Sequence, residues 1–121
     1  MPAELTIAQH PIDSERHVVA VRGDLDLFAA SELKKVLAQA IDAGRIRIIV
    51  DLAETTFLDS SALGVLVVAS KRLRSCYGAL AIVNLNENLT TIFKMTGLDQ
   101  ILTILPTRDA AIEAVAASNA A

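Results

Sequence analysis

A carboxylate and two hydroxyls stand side by side in the segment Asp59-Ser60-Ser61, between two apolar stretches of the chain. A serine in such a place can act as a nucleophile or accept a phosphate. The residues that follow, Ala62–Ala69, carry no charge and precede a cationic stretch, which predicts a buried helix that begins at the serines. Because the first N–H groups of a helix lack intrahelical partners, Asp59 or Ser60 can cap them, and an anion placed there is stabilised.

The elements around this segment predict where it lies in the fold. The run Ile46–Leu52 is rich in β-branched residues and is typical of a strand buried on both faces. A second polar loop, Gly23–Asp26, follows another predicted strand at His17–Arg22. Sites in open α/β sheets lie beyond the carboxyl ends of strands. We therefore expect the loop Asp51–Ser61 and the loop Gly23–Asp26 to reach one surface.

The rest of the chain alternates between strand and helix patterns. The first part of the chain predicts a strand over Leu5, Ile7 and Gln9 and a turn at Pro11–Ser14. A helix that ends at Gly44 is predicted next, with an apolar face formed by Leu33, Val36, Leu37, Ala40 and Ile41. The last part predicts a strand Ala79–Val83, a short helix capped within Asn84–Asn88 and ended by Gly97, a strand Ile101–Leu105, and a helix capped by Thr107. This order predicts a single α/β domain over residues 1–121, with a mixed, mostly parallel sheet of about four to five strands and about four helices. The tail 118–121 is expected to fray.

Composition and charge narrow the classes of function. Of the 121 residues 53% are hydrophobic but only 3% are aromatic, and the formal net charge is -3 with 11 Lys and Arg. Binding to nucleic acid needs stacking side chains or a basic surface, so no direct nucleic-acid partner is expected, and a protein surface is the better candidate. No apolar run reaches the ~20 residues of a membrane span, and Met1–Leu5 lacks the features of a signal peptide. We expect no membrane insertion and a cytoplasmic location.

Catalytic interpretations lack the residues that they need. The unit Asp59-Ser60-Ser61 has no glycines at the positions required by the hydrolase elbow. His10 and His17 are expected at the surface or at a strand edge, and no spacing directs them toward Ser60 as a general base. Asp51 or Asp59 as the phosphoacceptor of a receiver domain would need paired acids and a lysine, which are not evident. We expect no catalytic residue.

Metal and cofactor sites are not expected either. Cys76 is the single cysteine, and its place near the end of an apolar helix predicts a small residue packed in the core. Two scattered histidines and one cysteine give no ligand spacing for a metal. The five glycines are isolated, so no phosphate-binding loop is predicted.

Several segments together resemble a known family. Ile48–Leu52 followed by Phe57–Leu66 looks like the central signature of anti-sigma-factor antagonists, which are bacterial members of the STAS domain family. Gly23–Asp26 is similar to the Gly-acid-Leu-Asp turn of that family, Ser31–Leu33 falls where its first helix begins, and Ile92–Leu98 resembles the end of its third helix. The resemblance extends over nearly the whole chain.

This resemblance implies a phosphorylation switch rather than an enzyme. The unmodified protein would bind an anti-sigma factor that is itself a serine kinase and so free the sigma factor. Phosphorylation would reverse this, and a serine phosphatase would restore the first state. By position Ser60 corresponds to the phosphoacceptor, and the residues implied at the partner surface are Asp24, Asp26, Asp59, Ser60, Ser61 and Ala62.

One residue departs from the family pattern. Ala62 stands where many members have glycine. Because alanine does not easily adopt a positive φ, Ala62 is expected to be helical, and it should favour the helix by roughly 1 kcal/mol relative to glycine.

Two other interpretations stay open. Serine and aspartate are common at strand-to-helix junctions because they cap helices, so the segment could be a structural cap alone. STAS domains also serve as unphosphorylated scaffolds in stress-sensing assemblies, or as small regulatory subunits of lipid-transporting ABC systems. Whether Ser60 accepts phosphate from a dedicated kinase separates these possibilities.

Overall fold

The computed structural model describes residues 4–116, which form a five-stranded sheet with helices on both faces. The strands are β1 (Thr6–Pro11), β2 (Arg16–Arg22), β3 (Arg47–Glu54), β4 (Ala79–Val83) and β5 (Thr103–Leu105). The helices are α1 (Leu27–Asp42), α2 (Ser60–Ser75), α3 (Glu87–Met95) and α4 (Arg108–Ala116), and a 3-10 turn over Leu98–Gln100 precedes β5. The predicted tail 118–121 lies outside the described residues.

The strand order follows the chain, from β1 to β5. β1 pairs antiparallel with β2, and every other neighbouring pair is parallel. The predicted α/β class and the mixed, mostly parallel sheet are therefore confirmed. Because β2, β3 and β4 are parallel, the loops that follow them emerge at one edge of the sheet, which we call the carboxyl edge.

The two faces of the sheet pack against different helices. The larger core joins side chains of one face, including Val19, Val21, Ile48, Val50 and Ile82, to Leu33, Leu37, Leu66, Leu73 and Phe93 of the first three helices. The smaller core joins Val18, Ile49, Ala81 and Val83 to Ala111 and Val115 of α4. Burial on both faces explains why β3 is mostly apolar in the sequence, with Asp51 as the one charged residue between Arg47 and Glu54.

Polar contacts attach α4 to the sheet. Arg108 Nε donates to Asp51 Oδ2 at 2.9 Å, and Arg47 Nη1 donates to the carbonyl oxygen of Val115 at 2.9 Å. Asp51 is buried, and its other carboxylate oxygen accepts a hydrogen bond from the Ala53 N–H at 2.9 Å. Asp51, one of the acids considered as a phosphoacceptor, is thus held in a structural ion pair.

Several predicted boundaries move by a few residues. β1 extends to Pro11, and the turn centres on Asp13, whose Oδ1 accepts from the N–H groups of Glu15 and Arg16. β3 continues to Glu54 because, after a register shift, Glu54 pairs with Arg22 of β2. β5 is shorter than Ile101–Leu105, since the Leu102 N–H donates to Leu98 of the 3-10 turn at 2.8 Å.

Three burial predictions are wrong. Cys76 is exposed, because it is the C-cap of α2 and lies beyond Leu73, the last buried residue of that helix. His17 is buried because β2 is an inner strand between β1 and β3, whereas His10 is exposed as expected. The apolar stretch of α2 is buried on one face only, since Gly64 and Val68 are exposed.

The buried imidazole of His17 should make the stability of the protein depend on pH. His17 Nε2 lies 2.8 Å from Gln9 Oε1, while Nδ1 is buried without a hydrogen-bond partner in the described chain. Burial lowers the pKa of His17 below its ordinary value of 6.5, and the positive charges of Arg45 and His10 act in the same direction. The unfolded chain therefore binds the proton more tightly than the folded one. The corresponding stability is complete above about pH 6.5 and is lost as the pH falls below it.

Urea denaturation at pH 7.5 and pH 5.5 measures this effect. We expect the wild-type protein to lose stability at the lower pH, and His17→Gln to lose less. His10→Gln is the matched comparison: it should reduce the difference only slightly, because the charge of His10 adds to the effect of burial on His17 but is not its main cause. An equal loss in wild type and His17→Gln would contradict the assignment.

Candidate functional site

The N-terminus of α2 is capped by the residue that precedes the two serines. Asp59 has an extended backbone, and its Oδ1 accepts hydrogen bonds from the N–H groups of Ser61 at 3.1 Å and Ala62 at 3.3 Å. The Ser61 hydroxyl donates to the same oxygen. That hydroxyl, followed by the backbone N–H donors, lowers the pKa of Asp59 below its ordinary value. Asp59 and Ser60 were both predicted as possible caps of this helix, and Asp59 is the residue that caps it.

The two neighbouring serines have different surroundings. Ser60 is the first residue of α2 and is exposed, and its hydroxyl makes no hydrogen bond within residues 4–116. Ser61 is half-buried, and its hydroxyl is engaged by Asp59. The next residue, Ala62, is fully buried within the helix, which confirms that it is helical. The Ser60 hydroxyl is therefore more accessible to a modifying enzyme than the Ser61 hydroxyl.

Backbone hydrogen bonds join the two loops that the sequence placed at one surface. The Leu25 N–H donates to the Phe57 carbonyl at 2.9 Å, and the Asp59 N–H donates to the Leu25 carbonyl at 3.1 Å. Together they form a short parallel bridge between Leu25 and Leu58, whose side chains are both buried. The expected approach of these loops is confirmed.

The loop before α1 contributes two acidic residues to this edge. Asp26 caps α1 by accepting a hydrogen bond from the Ala29 N–H at 2.9 Å, and Asp24 is exposed two residues earlier. The N-termini of α1 and α2 both follow parallel strands, and the two helices pack against one another. Asp24 and Asp26 flank Leu25, which is bridged to Leu58, so these two acids lie at the same end of the sheet as Asp59 and Ser60.

Sequence reasoning missed the apolar side chains of this edge. Four large hydrophobic residues follow the carboxyl ends of β2, β3 and β4 and are between 48% and 71% exposed: Leu27, Phe28, Phe57 and Leu85. Exposed apolar residues that occur singly are ordinary, but a group beside one polar site indicates a surface for a partner. The signal in the sequence that could have identified these residues is their position, because each lies in a loop or first helical turn rather than inside a strand. Phe28 lies with Leu5, Ile7 and Val36 in a cleft beside β1, so it is not counted with this site. We call Leu27, Phe57 and Leu85 with Asp24, Asp26, Asp59 and Ser60 the switch surface.

Neither histidine of the chain lies beside Ser60. His17 pairs with Ile48 near the start of β3, at the sheet edge opposite to Ser60, and His10 lies on β1. In the part of the chain that the structure describes, no cluster of three or more His, Cys, Asp or Glu side chains is placed to hold a metal ion. Among the same residues, no helix combines the length and the apolar character needed to cross a membrane.

Comparisons with known proteins give the family. The STAS domain family model matches residues 8–111. The anti-sigma-B factor antagonist of Listeria monocytogenes is 33% identical over 92 residues, which cover 76% of this chain and 81% of that protein. The crystal structure of an anti-sigma factor antagonist from Mycobacterium paratuberculosis has a TM-score of 0.83 and 25% identity, and the match covers 95% of this chain and 98% of that one. The phosphorylated form of the Bacillus cell fate determinant SpoIIAA, 21% identical with a TM-score of 0.71, shares the fold over 90% of this chain and 98% of its own.

Proposed function

This chain belongs to the STAS domain family, and from that premise we propose that it is an anti-sigma-factor antagonist switched by phosphorylation of Ser60. The unmodified protein binds an anti-sigma serine kinase in the cytoplasm and so releases a sigma factor. Phosphorylation of Ser60 ends this binding, and a serine phosphatase restores it. In this proposal the protein is a substrate and a binding partner, and it catalyses no reaction itself.

The observation that carries the proposal is the contrast between the two serines. Both lie at the N-terminus of α2, but only the Ser60 hydroxyl is exposed and without a hydrogen bond in the described chain. Ser61 would have to give up its hydrogen bond to Asp59 before it could react. Transfer of phosphate to Ser60 leaves the helix cap intact, so the reaction costs little local structure.

The surroundings of Ser60 support binding to a protein. Protein interfaces combine aromatic and aliphatic anchors with a polar rim. At the switch surface Phe57 lies three residues before Ser60, and Leu27 follows the Asp26 cap of the adjacent helix. The exposed acids Asp24 and Asp26 would lie at the rim, where charge sets orientation and the rate of association.

A phosphate on Ser60 should alter binding rather than folding. It would add about -1.5 to -2 charge and three acceptor oxygens at pH 7. The N-terminus of α2 stabilises that charge, which favours survival of the fold. The phosphate would also lie next to the Asp59 carboxylate. A partner that covers the phosphate must remove the water molecules that hydrate it. Loss of affinity for the kinase therefore follows from the cost of desolvating a dianion, together with repulsion from any acidic group of the partner.

Intact-mass spectrometry of three reactions tests the proposal. With ATP alone, the purified protein should gain no phosphate. With an anti-sigma serine kinase encoded by the same genome it should gain one phosphate, which a serine phosphatase should remove. Autophosphorylation would contradict the substrate role, and no phosphorylation by any such kinase would favour an unmodified STAS scaffold instead.

Circular dichroism and calorimetry complete the test. The phosphorylated protein should retain the wild-type spectrum and bind the kinase more weakly than the unmodified protein does. Substantial unfolding after phosphorylation, or equal affinity of the two forms, would reject the switch.

A further inference from the structure

A groove between α1 and α2 begins next to the switch surface, since Ser61 is one of the residues that line it. It has a volume of about 360 Å³, and its walls are almost entirely apolar. The side chains that form it include Leu37, Ala38 and Ile41 of α1 and Val65, Val68 and Ala69 of α2. Val68 is 63% exposed although it lies in the apolar part of α2. The groove is thus an apolar surface that no described residue covers.

Gly64 makes the groove deeper than other residues would. It lies inside α2 at the groove wall, and a Cβ atom added to it would meet no atom within 4 Å. Its φ is not positive, so neither space nor backbone conformation requires glycine here. Glycine inside a helix costs about 1 kcal/mol relative to alanine. Its presence exposes the helix backbone to whatever occupies the groove.

The two ends of the groove differ in charge. Arg72 lies at one end, and its guanidinium is paired with Asp42 at the end of α1. Lys34 lies eight residues earlier on α1, about 12 Å along the helix axis, and has no ion pair among the described residues. The neighbouring Lys35 is paired with Glu32. The uncompensated positive charge therefore stands at the Lys34 end.

The dimensions favour a small ligand over a protein. A volume of about 360 Å³ lies within the ~300–1,000 Å³ typical of small-molecule sites. A stable protein interface needs about 800 Å² from each partner, which calls for a broader surface than this narrow groove. The formal net charge of -3 disfavours adsorption to an anionic membrane, so a free molecule is a better occupant than a bilayer lipid.

We propose that the groove between α1 and α2 binds a free medium-chain fatty acid, with its hydrocarbon chain between the helices and its carboxylate beside Lys34. The chain contacts the apolar walls and the exposed backbone at Gly64, and it extends toward the Arg72–Asp42 pair. Burial of the hydrocarbon supplies most of the affinity, and the lysine selects an anionic head over a neutral one.

Calorimetric titration of the full-length protein with decanoate, below its micelle concentration, tests this proposal. We expect saturable binding of one decanoate per chain and no binding to phospholipid vesicles. Gly64→Leu should abolish binding because the leucine fills the groove, and its stability should not fall, since open space surrounds the position. Val67→Leu, on the same helix but outside the groove wall, should bind as the wild type does.

The lysine is tested with two ligands and two variants. Lys34→Gln should weaken decanoate binding about two- to fivefold, as expected for an exposed ion pair, and leave 1-decanol binding unchanged. Lys35→Gln should change neither. Absence of saturable decanoate binding, binding that survives Gly64→Leu, or equal decanoate affinity in Lys34→Gln would overturn the proposal. If decanoate fails to bind while Gly64→Leu weakens kinase binding, the groove is a protein docking surface and the proposal is also wrong.

Discussion

Ser60→Ala is expected to abolish phosphorylation by the anti-sigma kinase and to leave binding of the unmodified protein to that kinase unchanged. The exposed hydroxyl of Ser60 makes no hydrogen bond within residues 4–116, so its removal breaks no described contact. Asp59 would still cap α2 through the N–H groups of Ser61 and Ala62. Intact mass and calorimetry measure the two effects separately. Ser60→Asp should bind the kinase more weakly, because it places a carboxylate at the surface that the partner covers.

Ser61→Ala is the matched control for the phosphoacceptor. It removes a hydroxyl one residue away, together with the hydrogen bond to Asp59, but it leaves Ser60 available. This variant should still gain one phosphate. Phosphopeptide mapping that places the modification on Ser61, Thr55 or Thr56 would refute the assignment. Thr55 is shielded from a kinase, since it is buried and its hydroxyl donates to the Val21 carbonyl at 3.0 Å.

Gly78→Ala should be the most destabilising small substitution at the turn between α2 and β4. An added Cβ would lie 2.1 Å from the Ile46 carbonyl oxygen and 3.0 Å from its carbonyl carbon, which are backbone atoms. Neither side can shift easily, because the Gly78 N–H donates to Leu73 at 2.7 Å and the Ala79 N–H donates to Ile46 at 2.9 Å. We expect a loss of about 3 kcal/mol, the upper end of the range for overpacked sites, as measured by urea denaturation. That is a large part of the ~5–15 kcal/mol that stabilises a typical domain.

Tyr77→Gly, one residue earlier, should change stability in the opposite direction. Tyr77 has a φ of 62°, in the left-handed region, and its side chain is 90% exposed. Glycine adopts this conformation without a steric penalty, so a gain of up to about 1 kcal/mol is expected. A wild-type urea midpoint for Gly78→Ala, or a lower midpoint for Tyr77→Gly, would show that this account of the turn is mistaken.

The local patterns that predicted the fold correctly were those set by near neighbours in the chain. Asp59 caps α2 because a short polar side chain placed before an apolar helix finds unpaired N–H groups within three residues. The strand before Ser60 was recognisable because its two faces are both covered, so that Ile48, Ile49 and Val50 follow one another without a polar residue. Thr107 also caps α4 as predicted, accepting from the Ala110 N–H at 3.1 Å.

The incorrect predictions for His17 and α2 depend on contacts between distant parts of the chain, whereas Cys76 is exposed because it caps the end of its own helix. Nothing near His17 in the sequence indicates that β2 lies between β1 and β3, and that position is what buries the imidazole. Val68 lies in an unbroken apolar run, so its exposure depends on how α2 sits beside α1. Phe57 and Leu85 likewise share one end of the sheet only because β3 and β4 are parallel neighbours. The switch surface was therefore predictable in its polar part and not in its apolar part.

The bridge between Leu25 and Leu58 has a consequence for how a partner recognises this protein. The two loops of the switch surface share backbone hydrogen bonds, so the site is already ordered before any partner arrives. A preorganised site pays little conformational entropy on association. The unmodified and phosphorylated proteins would present nearly the same backbone conformation at this site. A kinase would therefore distinguish its substrate from its product by charge and hydration rather than by shape. The amides of Leu25 and Asp59 should then exchange with deuterium at similar slow rates in the unmodified and phosphorylated proteins.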